Sequence, residues 1–138
     1  MNNQQLARNS AHDTDSLLSL TGTEATRLSQ AHVLIAGLGN IGSFLALMLA
    51  PLVSRVRLLD RDHVEGRNLG NQFYSTEHVN RSKVAVIAAE ISKRFPHVEV
   101  ERREVDLEDL PLGDFSDVDV CCGALDSLRA RQVLAEHA

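Results

Sequence analysis

The sequence predicts an α/β fold in which a parallel sheet carries helices on both faces. Short apolar runs alternate with segments of helical periodicity, which is the pattern of parallel strands joined by helical crossovers. A glycine-rich turn joins the first strand to the next helix. Only about four strands are recognisable in the 138 residues. We therefore expect a truncated sheet, belonging to a fragment of a longer protein or to a domain that pairs with another chain.

The elements follow one another in a regular order. We predict a flexible leader over residues 1–22, with a leucine cluster at Leu17, Leu18 and Leu20, and a nucleotide-binding domain over residues 23–138. Helices are expected at 23–30, 43–50, 83–94 and 127–137, and strands at 33–36, 56–59, 98–100 and 118–122.

Two of these elements have the clearest patterns. Residues 33–36 are a continuous apolar run, which fits a strand buried on both faces. In the helix at 83–94, Val84, Ile87, Ala88 and Ile91 fall on one face. The connections at 61–80 and 104–117 are long and polar, and a loop of that length inside a domain is usually functional or disordered.

Composition narrows the class of protein. Acidic side chains outnumber basic ones by 19 to 14, a net charge of −5 that argues against a general nucleic-acid coat. No apolar run approaches the ~20 residues of a membrane span, and the first ten residues lack the core of a secretory signal. The two cysteines, Cys121 and Cys122, are adjacent and too close for an ordinary disulfide. We expect a cytoplasmic protein that binds neither nucleic acid nor membrane.

A G-x-G-x-x-G motif occupies residues 37–42, between the first strand and its helix. Gly37 permits the tight turn, Gly39 lets a phosphate approach the backbone N–H groups, and Gly42 lets the helix pack against the strand. The helix N-terminus adds free N–H donors and a positive dipole end. Asp60, at the end of the next strand, can accept both hydroxyls of an adenosine ribose. Together these features predict a Rossmann-like nucleotide site.

Several nucleotides fit such a site. A Rossmann crevice serves NAD, FAD, S-adenosylmethionine and ATP alike, so the loop does not choose among them. The residues after Asp60 are more informative, because we expect Asn68, Lys83 and Asp126 to be brought to one pocket. A reductase does not need them. A site for a nucleoside triphosphate does need such residues, because it must hold three phosphates, a divalent metal and an attacking carboxylate.

From about Glu24 onward, these residues resemble the ThiF/MoeB/HesA family, the bacterial relatives of ubiquitin-activating enzymes. The family pattern has the glycine loop, an acid-x-acid followed by Val, then Asn-Leu-x-Arg-Gln. A Lys at the next helix start and Asp-Asn-x-x-x-Arg after the fourth strand complete it. The matching residues are Gly37, Gly39, Gly42, Asp60, Asp62, Val64, Asn68, Leu69, Gln72, Lys83, Asp126 and Arg131.

The resemblance implies an enzyme that uses ATP and magnesium to adenylate the C-terminal glycine of a ubiquitin-like or sulfur-carrier protein. It makes Asn68, Lys83 and Asp126 the catalytic residues, with Asp126 positioning Mg²⁺. Cofactor binding is implied for Gly37, Gly39, Gly42, Asp60, Asp62, Arg67, Asn71 and Gln72. A homodimer, or pairing with a related subunit, is also implied.

The chain departs from the family pattern at position 71, where Asn71 replaces an arginine. This removes a fixed charge with five donors, and losing one preorganised donor typically costs about 10²–10³ in rate. Arg67 is our first candidate for a substitute cation, and Arg81 the second. Ser127 replaces the usual Asn. Arg8 and Arg27 are candidates for the family arginine that reaches the neighbouring subunit's site.

Two alternatives remain open. An NAD-dependent oxidoreductase domain explains residues 37–60 but leaves Asn68, Gln72, Lys83 and Asp126 unexplained. A catalytically silent scaffold, which pairs with an active subunit, is favoured by Asn71 and by the short chain.

Overall fold

A parallel four-stranded sheet forms the centre of the computed structural model, which describes residues 22–137. The strands are β1 His32–Ala36, β2 Arg55–Leu59, β3 Glu99–Arg103 and β4 Val120–Gly123, in the spatial order β3-β2-β1-β4. Each neighbouring pair is parallel. The chain moves outward from β1 through β2 to β3, then crosses to the other side of β1 to form β4. The predicted α/β class is therefore confirmed.

Four α-helices accompany the sheet: α1 Gly22–Gln30, α2 Asn40–Leu49, α3 Lys83–Arg94 and α4 Leu128–His137. Helices α2 and α3 pack on one face, where Ala46, Val84 and Ile87 are buried. Helix α4 packs on the other face through Ala130 and Val133. Helices thus cover both faces, as predicted.

Strand β1 is the most deeply buried element. Val33 and Ile35 point into the core under α2 and α3, whereas Leu34 and Ala36 point into the core under α4. All five residues of the strand are buried. The continuous apolar run in the sequence reflects this burial on both faces.

Several boundaries differ from the sequence prediction, most of them by one to three residues. Helix α2 begins at Asn40 rather than residue 43, and β4 begins at Val120 rather than residue 118. Strand β3 begins at Glu99 and continues to Arg103, whereas the prediction ended at residue 100. The apolar pattern missed the end of β3 because that half of the strand is stabilised by ion pairs rather than by apolar burial.

The two long connections are less irregular than predicted. The first contains 3₁₀ turns at Gly66–Asn68 and Thr76–His78, and the second contains turns at Leu107–Asp109 and Leu112–Phe115. The first connection is also fastened back on itself: the N–H of Val64 donates to Arg81 at 2.8 Å, and the N–H of Asn80 donates to Val64 at 2.8 Å. Its two ends are therefore held side by side.

A charged cluster lies on the α4 face of the sheet. The buried Arg57 donates to Glu101 at 2.7 Å and to Asp117 at 2.9 Å, and it also donates to the Asp114 carbonyl. Arg103 pairs with the Asp114 carboxylate at 2.5 Å. These contacts tie β2 and β3 to the segment that precedes β4.

Some expectations concern residues outside the described range. Arg8 and the leucine cluster at Leu17, Leu18 and Leu20 fall there, and the leader over residues 1–22 stays a prediction. No helix within residues 22–137 is long and apolar enough to cross a membrane.

Candidate functional site

A cleft of about 1040 Å³ opens at the carboxyl ends of β1, β2 and β4. Here the strand order reverses, since β2 and β4 lie on opposite sides of β1. Open parallel sheets bind their ligands at such a switch point. Ten of the predicted site residues line the cleft: Gly37, Gly39, Asp60, Asp62, Arg67, Asn68, Asn71, Gln72, Lys83 and Asp126.

The three glycines of the loop have different surroundings. Gly37 has a φ of +89°, and a Cβ there would lie 2.6 Å from the Ala124 carbonyl oxygen. A Cβ on Gly42 would lie 1.7 Å from the Gly37 carbonyl oxygen, so Gly42 serves packing and does not line the cleft. Gly39 has no atom within 4 Å of its Cβ position and faces the cleft. Within residues 22–137, therefore, no contact at the Cβ position accounts for a glycine at 39.

The peptide groups of Leu38 are held from two sides. Its N–H donates to Asp60 Oδ2 at 2.7 Å, and its carbonyl accepts from the Tyr74 hydroxyl at 2.6 Å. Tyr74 is buried and is the only tyrosine in the chain. Sequence reasoning missed it, because no local pattern shows that its hydroxyl reaches Leu38, 36 residues earlier in the chain.

Asp60 has an unusual environment for a carboxylate. Its second oxygen accepts the N–H of Asp62 at 2.8 Å, so both oxygens bind the backbone. Burial raises the pKa of Asp60, while those two N–H groups and the nearby Lys83 oppose the rise. A carboxylate has about four acceptor positions, so two remain for a ligand's hydroxyl groups.

Lys83 begins α3 and is buried at the cleft wall, with 6% of its surface exposed. Its ammonium lies 3.4 Å from Asp62 Oδ2, and its N–H donates to the Asp62 carbonyl at 3.0 Å. Ser82 caps the helix by accepting the N–H of Ala85. The long distance to Asp62 leaves the ammonium's other donors available to an anion in the cleft.

The amide residues of the first long connection face the same cleft. Asn68 is 8% exposed, and its Oδ1 accepts the N–H of Glu65 at 2.7 Å, which leaves its NH₂ group for a ligand. Gln72 presents an Oε1 atom that is buried and has no partner among residues 22–137. Asn71 is exposed. This wall is rich in neutral hydrogen-bonding groups.

The candidate substitute cations are less well placed. The side chain of Arg67 lines the cleft, but it is 79% exposed and its Nε lies 2.7 Å from Glu65. Arg81 is exposed and does not line the cleft, and Arg27 lies near the amino end of β4. Sequence reasoning also missed Arg129, which lines the cleft from the first turn of α4.

Asp126 follows β4 and is exposed in the cleft, with no hydrogen-bond or ion-pair partner among the described residues. Its neighbour Ser127 accepts the N–H of Ala130, and Arg131 donates to the Leu125 carbonyl at 2.8 Å. These contacts fix the start of α4 and leave the Asp126 carboxylate free to bind a cation.

A second group of potential metal ligands lies elsewhere. Within residues 22–137, His32, Glu101 and Asp117 place one ligand atom each within 4.8 Å of one another. Arg57, however, already donates to both carboxylates of this group. The guanidinium takes the place that a cation would occupy, so we assign no metal there.

Comparison with known proteins places the cleft in a family context. The sequence model of the ThiF family matches residues 12–138. The adenylyltransferase and sulfurtransferase MOCS3 of Anopheles gambiae is 31% identical over 97% of this chain and 31% of its own length. Ubiquitin-like modifier-activating enzyme 5 of Drosophila melanogaster is 37% identical over 54% of this chain and 19% of its own. The chain thus spans under a third of these relatives.

Solved structures agree with this result. E. coli MccB with ATP is 30% identical, with a TM-score of 0.56 over 67% of this chain and 27% of that one. E. coli TcdA, a tRNA N6-threonylcarbamoyladenosine dehydratase solved with ATP, has a TM-score of 0.75 over 82% of this chain and 48% of that one. Its identity is 24%, so it supports the fold alone. On the match over residues 12–138, together with a glycine-loop cleft at the switch point, this chain belongs to the ThiF family.

Proposed function

We propose that this chain provides the ATP site of an adenylyltransferase. The enzyme would use ATP and magnesium to adenylate the C-terminal glycine of a ubiquitin-like or sulfur-carrier protein. One observation supports the proposal above all: Asp60 after β2, Lys83 at the start of α3 and Asp126 after β4 line one cleft together with the glycine loop. The names of MOCS3 and of the modifier-activating enzymes support this reaction class.

The cleft fits ATP in size and in its groups. Its volume of about 1040 Å³ is ample, since small-molecule sites commonly measure ~300–1,000 Å³. The open space at Gly39 and the free N–H groups at the start of α2 suit a phosphate, which needs a close backbone approach. The two remaining acceptor positions on Asp60 suit a ribose. MccB, solved with ATP, supports this choice of nucleotide over NAD.

The donor set also fits magnesium. Mg²⁺ typically takes one or two protein carboxylates and completes its shell with water and phosphate oxygens. Asp126 offers such a carboxylate, exposed and unpaired within residues 22–137, at the carboxyl end of β4. When bound there, the ion would supply charge neutralisation for the polyphosphate.

The reaction requires placement and charge stabilisation. A carboxylate oxygen of the substrate glycine would attack the α-phosphorus of ATP. As that bond forms, the bond to the bridging oxygen breaks, and pyrophosphate leaves with the electron pair. No side chain need act as a base, because a carboxylate is already a nucleophile. Lys83 would stabilise the charge that develops on the phosphate oxygens, and the NH₂ of Asn68 would donate to a phosphate or to the incoming carboxylate.

A second candidate, the silent partner subunit, is favoured by the charge balance of the cleft. Asn71 removes the family's arginine, and Arg67 is paired with Glu65. Another cleft arginine, Arg61, lies 2.7 Å from Asp106. A subunit with this balance would bind ATP but transfer AMP poorly.

Pyrophosphate exchange separates these candidates. We expect the protein, supplied with ATP, Mg²⁺ and ubiquitin-like proteins that end in Gly-Gly, to incorporate labelled pyrophosphate into ATP. Asp126→Asn should lower the rate at least ~10²-fold, as loss of a major electrostatic group does. Glu104→Gln, an equal charge change outside the cleft, should have no effect. Calorimetric binding of ATP without any exchange would favour the silent subunit, and binding of NAD instead would reject the proposal.

A further inference from the structure

One hydroxyl group, that of Tyr74, contacts the glycine loop from the buried side. This hydroxyl donates a hydrogen bond to the Leu38 carbonyl oxygen at 2.6 Å, and Tyr74 is the only tyrosine in the chain. The residue is 4% exposed and does not line the cleft. Tyr74 therefore acts on the loop and not directly on a ligand.

The geometry of the peptide bond gives this contact its meaning. The Leu38 carbonyl and the Gly39 N–H belong to one planar trans peptide, so they point in opposite directions. Because the carbonyl points inward to Tyr74, the N–H points outward, on the side where Gly39 lines the cleft. No group in residues 22–137 accepts the Gly39 N–H. It is thus a free donor held toward the cleft.

Without the hydroxyl, this peptide has an alternative orientation. Glycine adopts positive and negative φ with similar ease, so the Leu38–Gly39 peptide can flip about Gly39. A flipped peptide would turn the Leu38 carbonyl oxygen toward the cleft, where it would repel phosphate. The Asp60 contact does not prevent this flip, because Asp60 holds the Leu38 N–H, which belongs to the preceding peptide.

We infer that Tyr74 is a positioning residue, which locks the Leu38–Gly39 peptide so that the Gly39 N–H donates to a phosphate of the bound nucleotide. The inference rests on the proposed function, since it requires a phosphate-bearing ligand in this cleft. The segment that carries Tyr74 is itself fixed, because the N–H of Phe73 donates to Ser43 of α2 at 3.2 Å. The wall that offers Asn71 and Gln72 is therefore continuous with the residue that orients the loop.

Calorimetry with ATP and with adenosine tests the inference. We expect Tyr74→Phe to weaken ATP binding about tenfold, the upper range for one hydrogen bond, and to change adenosine binding less than twofold. A general loss of structure would weaken both ligands together. Ser54→Ala is the matched control: its hydroxyl donates to the Gln30 carbonyl at 2.9 Å, at the amino end of β2, and its loss should change neither affinity.

Equal effects of Tyr74→Phe on ATP and adenosine, or none on either, would overturn the inference. If that variant does not fold, hydrogen exchange at the Gly39 amide of the wild type decides instead. Protection by ATP but not by adenosine supports the inference, and exchange unchanged by ATP overturns it. Failure of the wild type to bind ATP is a different result, because it rejects the proposed function itself.

Discussion

Asp60 serves both the structure and the proposed site. Its two oxygens hold the N–H groups of Leu38 and Asp62, so the carboxylate shapes the glycine loop before any ligand binds. The same group is the proposed acceptor for ribose hydroxyls. Its ionised form is needed for both roles, yet burial disfavours that form and raises the pKa of Asp60.

This raised pKa predicts an acid-sensitive site. An aspartate in the unfolded chain protonates near pH 3.9, and Asp60 in the folded protein protonates at a higher pH. We expect ATP affinity to fall on acidification before an exposed aspartate would titrate. We would measure the ATP affinities of the wild type and of Asp60→Asn by calorimetry between about pH 8 and pH 4.5. Protonation of ATP itself affects both proteins equally, so it cancels in the ratio of the two affinities. A ratio that stays constant over this range would contradict the expectation.

Helix α2 is placed by the loop that precedes it. Its first turn contains Gly42, whose missing Cβ lets the helix lie directly against the Gly37 carbonyl. Close packing at this point brings the helix N-terminus to the carboxyl end of β1, where its free N–H groups and dipole face the cleft.

Two glycine substitutions separate packing from binding in this element. Gly42→Ala should destabilise the protein by at least ~1–3 kcal/mol, because its Cβ would lie 1.7 Å from a backbone oxygen and α2 would have to move. Gly39→Ala should leave the melting temperature nearly unchanged, because no atom lies within 4 Å of its Cβ, but it should weaken ATP binding. Thermal melts and calorimetry on both variants check this. A folded, stable Gly42→Ala protein would show that the packing is looser than described.

Patterns local in sequence predicted the fold well, and long-range contacts explain what they missed. Apolar runs and the glycine motif predicted the sheet and located the cleft. The end of β3 was not predicted because charged residues such as Glu101 and Arg103 are typical of loops. Only the folded structure shows that they pair with Arg57 and Asp114. Tyr74 escaped for the same reason, since nothing near it in the sequence shows that its hydroxyl reaches Leu38.

At the scale of the whole molecule, two groups of charged side chains within residues 22–137 have different roles. The cleft at the carboxyl ends of the strands holds the groups that face a ligand, whereas the Arg57 cluster on the α4 face serves the fold. Arg57 is 4% exposed and joins β2 to Glu101 of β3 and to Asp117 before β4. Its hydrogen bond lowers the pKa of Asp117. The cluster thus links the far strand β3 to the segment that leads into the cleft.

Truncating Arg57 should therefore lower stability and change its pH dependence. We expect Arg57→Met to lower the free energy of unfolding by up to about 3 kcal/mol. This is the low end of the range for breaking a buried ion pair, and it applies because Asp117 is partly exposed. Since the folded-state pKa of Asp117 is lowered, its stabilisation is complete above the unfolded pKa of about 3.9 and is lost as pH falls through the lower folded value. Urea unfolding across this range should show that loss in the wild type but not in the variant. Arg55→Met, which removes a more exposed arginine of the same strand, should cost less than about 1 kcal/mol; an equal cost would mean that burial of Arg57 contributes nothing.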